Sequence, residues 1–242
     1  MLSLSYIYIV NTNKEEHTML ANFIQDKPVE YLDDILLKDG ELQVIPAAEM
    51  KKIQHDDLRL WCHKNAVYGL PTVELIESIK EHVVPSKTIE VGGGCGVFGR
   101  ALGIPSTDSF IQNTPEMREM YKLMQQPVVK YGSNVELCEA SDAIDKYKPD
   151  VVFGSWVTQF ASPYLITPPI GGGSVVGLKE TEFINRISKY IIFGNENIHG
   201  KKELFNLSNL NVERIFNPEI FFSRAQDHKL NCLYIVKHVN RT

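Results

Sequence analysis

From Tyr68 onward, short apolar runs alternate with segments whose apolar positions recur every three or four residues. In "LPTVELIESIKEHV" the residues Val73, Ile76, Ile79 and Val83 fall on one helical face, and Pro71 and Thr72 are start signals. "TIEV" reads as a first strand, followed by a helix over about Val97 to Leu102 and a second strand in "IPSTDSF". Thr114 and Pro115 open a helix in "TPEMREMYKLMQQ", and "VVKYG" reads as the third strand. Ser133 and Glu136 form an S-x-x-E capping box that predicts a helix over "SNVELCEASDAIDKY". "DVVFGSWV" is the fourth strand, "KETEFINRISK" a helix and "YIIFGN" the fifth strand, with "EIFFS" and "CLYIVKH" as a closing pair. Strand and helix alternating in this way predict an α/β fold, a Rossmann-like doubly wound, mostly parallel seven-stranded sheet. Right-handed crossovers then bring the carboxyl ends of the early strands to one edge, where ligands bind.

Residues 1–66 follow a different pattern, and we take them as an N-terminal helical cap or extension on a 67–242 domain. In "EMKKIQHDDLRLWCHK" the residues Met50, Ile53, Leu58, Trp61 and Cys62 share a helical face. "MLSLSYIYIV" is too short for a membrane span and lacks the basic start of a signal peptide, so it reads as a short strand.

Composition narrows the function classes. At 242 residues, 43% hydrophobic and 23% charged, the chain can bury a full core without staples. A formal charge of -5 argues against a general nucleic-acid binder, which needs clustered Lys and Arg. Cys62, Cys95, Cys138 and Cys232 lie far apart with no zinc spacing, so no metal is expected and they read as reduced thiols of a cytoplasmic protein.

The chemistry centres on "TIEVGGGCGVFGRALGI". Gly94, Gly96 and Gly99 spell G-x-G-x-x-G, while Glu90, Gly92, Gly94 and Gly96 spell an acid followed by alternating glycines. The first pattern suits a dinucleotide pyrophosphate at a helix N-terminus, but there an upstream acid has no evident task. S-adenosylmethionine carries an ammonium, a carboxylate and a sulfonium but no phosphate. Its site wants a glycine turn with nearby acids, and Asp108 at the end of the second strand can accept from both ribose hydroxyls.

This arrangement resembles motif I and the second-strand acid of class I SAM-dependent methyltransferases. "YGLPTVELIESI" and "KYKPDVVFGSWVTQ" are similar to that superfamily's leading helix and fourth strand, and the run of segments is closest to uncharacterised bacterial and phage members. The resemblance implies cofactor contacts from Glu90, Gly92, Gly94, Gly96 and Asp108, with Gly99 as a packing glycine. It also implies a third strand ending in an acid and a small residue that read the adenine amino group. "YGSN" departs from this, so Ser133 and Asn134 are expected to offer contacts there; Glu139 or Asp142 would serve only if the strand ran later.

Ser155 and Trp156 follow the fourth strand toward the cofactor and acceptor. Asn195, Glu196 and His199, after the fifth strand, are the catalytic candidates for taking a proton. His63, Tyr68 and Arg224 are further candidates for the pocket border, and the glycine-rich loop from Ala161 to Gly177 is a candidate lid. The expected activity is methyl transfer to an acceptor, a small molecule rather than a nucleic acid, with no membrane partner. An NAD-dependent oxidoreductase and a catalytically inactive SAM-fold binding protein are the alternatives.

Overall fold

The structure is a computed structural model that describes residues 5–7, 21–23, 26–161 and 173–239. Its centre is a seven-stranded sheet. The strands are β1 Thr88–Val91, β2 Ser106–Asp108, β3 Val135–Leu137, β4 Val151–Ser155, β5 Lys189–Asn195, β6 Leu210–Phe216 and β7 Asn231–His238. In space they run β3-β2-β1-β4-β5-β7-β6, with β7 antiparallel to both neighbours and the other pairs parallel. The flanking helices are α1 His55–Lys64, α2 Val73–Lys80, α3 Val97–Leu102, α4 Pro115–Leu123, α5 Ala140–Tyr147, α6 Glu180–Phe183 and α7 Glu196–His199. The chain is therefore a Rossmann-like α/β protein, as the alternating pattern predicts.

Strands β4, β5 and β7 are buried along most of their length, which is why they read as continuous apolar runs. Their side chains still alternate between faces. Ile191 and Phe193 join a core with Trp61, Leu75, Phe98 and Phe153, whereas Tyr190 and Ile192 join one with Ile144, Val152 and Phe183. Thr72 caps α2 by accepting from the Leu75 N–H at 3.1 Å, and Thr114 caps α4 by accepting from the Met117 N–H at 3.4 Å.

The segment before α2 closes the first core. Met50, Leu58, Trp61 and Cys62 are buried, and Trp61 Nε1 donates to Asp33 at 2.7 Å. The expected single helical face is split, since Ala47–Met50 is a separate helical turn before α1. Gly69–Leu70 pairs with Phe222–Ser223, joining the start of the α/β region to its far end. Of the apolar N-terminal run, Ser5–Ile7 is a strand paired with Ala21–Phe23, and the rest lies outside the described residues.

Two expectations are corrected. The third strand is Val135–Leu137 rather than residues 128–132, so Ser133 and Glu136 make no capping box. Glu136 lies in β3, accepting from Lys146 Nζ and the Tyr147 hydroxyl, both at 2.6 Å, and α5 starts only at Ala140. A three-residue edge strand carries too little burial pattern to announce itself. The partner of β7 is Leu210–Phe216, not "EIFFS": Phe221 and Phe222 are apolar because they fill the core beside the Gly69–Leu70 pairing.

Candidate functional site

β1 sends Ile89 and Val91 into one core and turns Glu90 toward α3. The chain then turns through Gly92, Gly94 and Gly96 at φ +64°, +53° and +69°, left-handed backbone that side-chain-bearing residues rarely adopt. Space also demands glycine. A Cβ on Gly92 would lie 2.7 Å from Val157 Cγ1, and one on Gly96 2.5 Å from Asn134 Oδ1. Gly99 is a packing glycine, as expected, since its Cβ would meet Ser106 Cβ at 2.7 Å and Glu90 Oε2 at 2.8 Å.

Two carboxylates clasp this turn. Asp108, at the end of β2, accepts from the Gly94 N–H at 3.1 Å and the Phe110 N–H at 2.9 Å. Glu90 Oε2 accepts from the Gly99 N–H at 3.0 Å and from Ser106 Oγ at 2.6 Å. Burial pushes the Glu90 carboxyl up to about 7, against the pull of the Ser106 and Gly99 hydrogen bonds. Burial also raises Asp108, while the amides of Phe110, Gly94 and Ser109 oppose it.

A cavity of about 1240 Å³ opens at the carboxyl ends of β1 to β5. Its floor is built from residues 92–95, Asp108, 138–140, 155–158 and 195–198, and Arg59, His63 and residues 65–69 and 224–227 close it from above. β2 and β4 lie on opposite sides of β1, so the glycine turn sits at the topological switch point, where open α/β sheets bind ligands.

Gly92, Gly94, Asp108, Ser155, Trp156, Asn195 and Glu196 border the cavity, as do His63, Tyr68 and Arg224. Glu90, Gly96, Ser133, Asn134 and His199 do not. Glu90 is fully buried under the turn. Ser133 and Asn134 precede β3 rather than follow it, and Asn134 braces the turn by donating to the Gly96 carbonyl at 3.0 Å and accepting from Arg100 at 2.8 Å. His199 is fully buried, its Nδ1 accepting from the Asn195 N–H at 3.0 Å. Burial, with Lys202 adding to it, holds its imidazole down to about 3.

Trp156 takes a left-handed φ of +58° and donates its backbone N–H to the Phe193 carbonyl at 2.7 Å. Its ring meets His199 edge-on at 5.3 Å and Tyr68 at 6.3 Å. The Asn195 amide caps α7 by accepting from the Asn197 N–H and donates to the Asp227 carbonyl at 2.8 Å and to Asn231 at 3.0 Å. Glu196 accepts from the Tyr234 hydroxyl at 2.9 Å and pairs with Arg214 at 3.4 Å. Of the candidate lid, residues 162–172 lie outside the described residues.

The third strand does run later, which is the condition on which Glu139 is expected to serve. Glu139 follows the true end of β3 and borders the cavity with Cys138 and Ala140. Its signal was the acid and small residue after the alternating Val135-Glu136-Leu137. Among the described residues no cluster of three or more His, Cys, Asp or Glu fits a metal, and no helix is long and apolar enough to cross a membrane.

No protein-family model matches the chain, and no curated protein matches its sequence. Among solved structures it is similar to an uncharacterized protein from Listeria monocytogenes serotype 4b, with 11% identity over 69% of this chain and 68% of that one at a TM-score of 0.35. It is also similar to a SAM-dependent methyltransferase from Agrobacterium tumefaciens, with 11% identity over 68% of this chain and 60% of that one at a TM-score of 0.30.

Proposed function

We propose that the chain binds S-adenosylmethionine in this cavity and transfers its methyl group to a small acceptor. The observation that carries the reading is the occupancy of the turn's amides. A dinucleotide site leaves these N–H groups open to a pyrophosphate. Here the Asp108 carboxylate, on the cavity wall, already accepts from the Gly94 N–H, so the turn presents acid where phosphate oxygens would sit, and buried Glu90 takes the Gly99 N–H from beneath. The sheet also departs from the dinucleotide order 3-2-1-4-5-6, because antiparallel β7 enters between β5 and β6.

The residues present suit the cofactor. A carboxylate offers about four lone-pair sites. Asp108 spends one per oxygen on Gly94 and Phe110, with the Ser109 amide also acting on it, and keeps accepting capacity for a ribose hydroxyl. Glu139, level with it on the wall, is the acid we assign to the adenine amino group, in place of Ser133 and Asn134. Glu90 acts as a brace on the turn rather than a direct contact. The cofactor supplies an already activated methyl group, so the chain's main task is to align the acceptor. Trp156 and Tyr68 wall the acceptor side, and Asn195 and Glu196 hold the floor after β5.

Calorimetry with S-adenosylmethionine, S-adenosylhomocysteine and NAD in parallel tests this. Saturable binding of the sulfur compounds alone is expected. Saturable NAD binding with no response to either sulfur compound overturns it.

A further inference from the structure

The cavity is larger than the usual range of about 300–1,000 Å³ for small-molecule sites, at about 1240 Å³. Its two ends differ in charge. Asp108 and Glu139, with Lys130 as the cation near them, line the end beside β2 and β3, whereas Arg59, His63 and Arg224 line the end formed by α1 and the segment after Phe222–Ser223.

Arg59 is buried, with 9% of its surface exposed, and its Nε is enclosed with no hydrogen-bond partner. Among the described residues its one ion pair, Nη1 to Asp56 at 3.3 Å, reaches a side chain that is 76% exposed, where solvent screens the attraction. Arg224 lies over the Tyr68 ring, its Cζ 3.5 Å from the ring centre. His63, between them, is held down to about 3 by burial and then by Arg224 and Arg59. Asp227 and Gln226 also border this end.

The path to the glycine turn is short. Arg224 covers Tyr68, Tyr68 neighbours Trp156 at 6.3 Å between ring centres, and Val157, next in the chain, closes on Gly92. A guanidinium is therefore one aromatic ring away from Trp156 on the acceptor wall, and two from the glycine turn.

We propose that this end is an anion subsite, and that the methyl acceptor is a small anionic molecule whose carboxylate or phosphate is held by Arg59 and Arg224. The inference rests on the methyltransferase reading for the word acceptor but not for the anion site itself. Guanidinium forks match both anions in a bidentate manner, and a buried guanidinium on the cavity wall whose ion pair is with a solvent-exposed carboxylate gains most from such a partner.

Inorganic phosphate and malonate are the probes, titrated into the full chain loaded with S-adenosylhomocysteine. Saturable binding is expected, weakened roughly tenfold or more by Arg59→Gln and by Arg224→Gln, as for lost hydrogen bonds to a charged group. Affinity for S-adenosylhomocysteine should change less than about twofold in both variants. Arg59→Lys keeps the charge but loses the fork, so it should bind the anion more tightly than Arg59→Gln and more weakly than the wild type, which separates lost charge from lost bidentate geometry. Absence of anion binding by the loaded wild-type protein overturns the proposal. So does mutual exclusion of anion and S-adenosylhomocysteine with parallel loss of both in the variants, because the guanidiniums then serve the cofactor's own carboxylate. Anion binding without any binding of S-adenosylhomocysteine supports the anion site and refutes the cofactor reading.

Discussion

Replacing Glu90 by Gln removes an ionisable group that is 0% exposed while keeping its shape. The carboxyl lies between β2 and α3, with Oε2 fully engaged and Oε1 without a partner. Burial raises it from 4.5 to about 7, so between those values the unfolded chain has released a proton that the folded chain retains. Rising pH therefore favours the unfolded state across this window, by about 1.4 kcal/mol for each pH unit. Above about pH 7 the folded protein carries a buried carboxylate and the full loss of about 3 kcal/mol.

The amide of Gln cannot ionise, so Glu90→Gln escapes that loss. Its oxygen can still accept from Gly99 and Ser106, but its NH2 then occupies the partnerless Oε1 position and costs about 1–3 kcal/mol at every pH. Urea unfolding at about pH 5.5 and about pH 8.5 separates the two effects. The stability difference should swing by about 2 kcal/mol in favour of Glu90→Gln between the two conditions. Parallel pH dependence in wild type and variant would refute the raised carboxyl. Affinity for S-adenosylhomocysteine should stay within about twofold, because Glu90 braces the turn from beneath; a tenfold loss would make it a direct ligand instead.

Asp108→Ala should lose roughly ten- to a hundredfold in cofactor affinity and also melt earlier, since both carboxylate oxygens hold backbone amides; Asp108→Asn should be milder on both measures, and an unchanged dissociation constant in a destabilised Ala variant removes Asp108 from the site. Gly94→Val should cost about 1–3 kcal/mol of stability through its left-handed φ, with the sheet intact by circular dichroism and cofactor binding abolished; normal binding by the folded variant means the turn is not the site. His199 stays neutral in the folded protein down to about 3 while the unfolded chain protonates below about 6.5, so stability drops as pH falls through that window. His199→Gln should accordingly flatten the acid limb of the unfolding curve and leave the pH profile of methyl transfer near neutrality unmoved, whereas loss of a limb near pH 6 would make it the base.

Elements with two strong neighbours were legible in the sequence. β1, β4 and β5 are buried on both faces and announce themselves as apolar runs, and α2 and α4 carry threonine caps whose hydrogen bonds form as expected. The edges of the sheet were not. β6 shows one fully buried position in seven and β3 one in three, so pairing rather than composition defines them. For the site, the glycine turn could be read because its left-handed backbone restricts the residue type, and Asp108 because it ends the strand next to that turn. Which side chains reach the cavity could not: Glu90, Asn134 and His199 each spend their polar atoms on backbone groups, a use that spacing along the chain does not reveal.

Misplacing the third strand by a few residues alters the site more than the fold. β3 pairs with β2 so that Asp108 lies opposite Leu137, and the Cys138 N–H donates to the Asp108 carbonyl at 2.9 Å. That register carries residues 138–140 onto the same edge as Asp108 and leaves Ser133 and Asn134 at the entry to the strand, where both are exposed. Glu139 and Asp108 together make one end of the cavity acidic, suited to hydroxyls and an exocyclic amine, while Arg59 and Arg224 make the other cationic. Under the proposed function, a cofactor and acceptor that bridge the two ends are hydroxyl-rich at one extremity and anionic at the other, with the paired rings of Trp156 and Tyr68 between them. A neutral apolar acceptor would displace water from the Arg59 and Arg224 side chains that line the cavity without offering them an anion, and that desolvation would work against its binding.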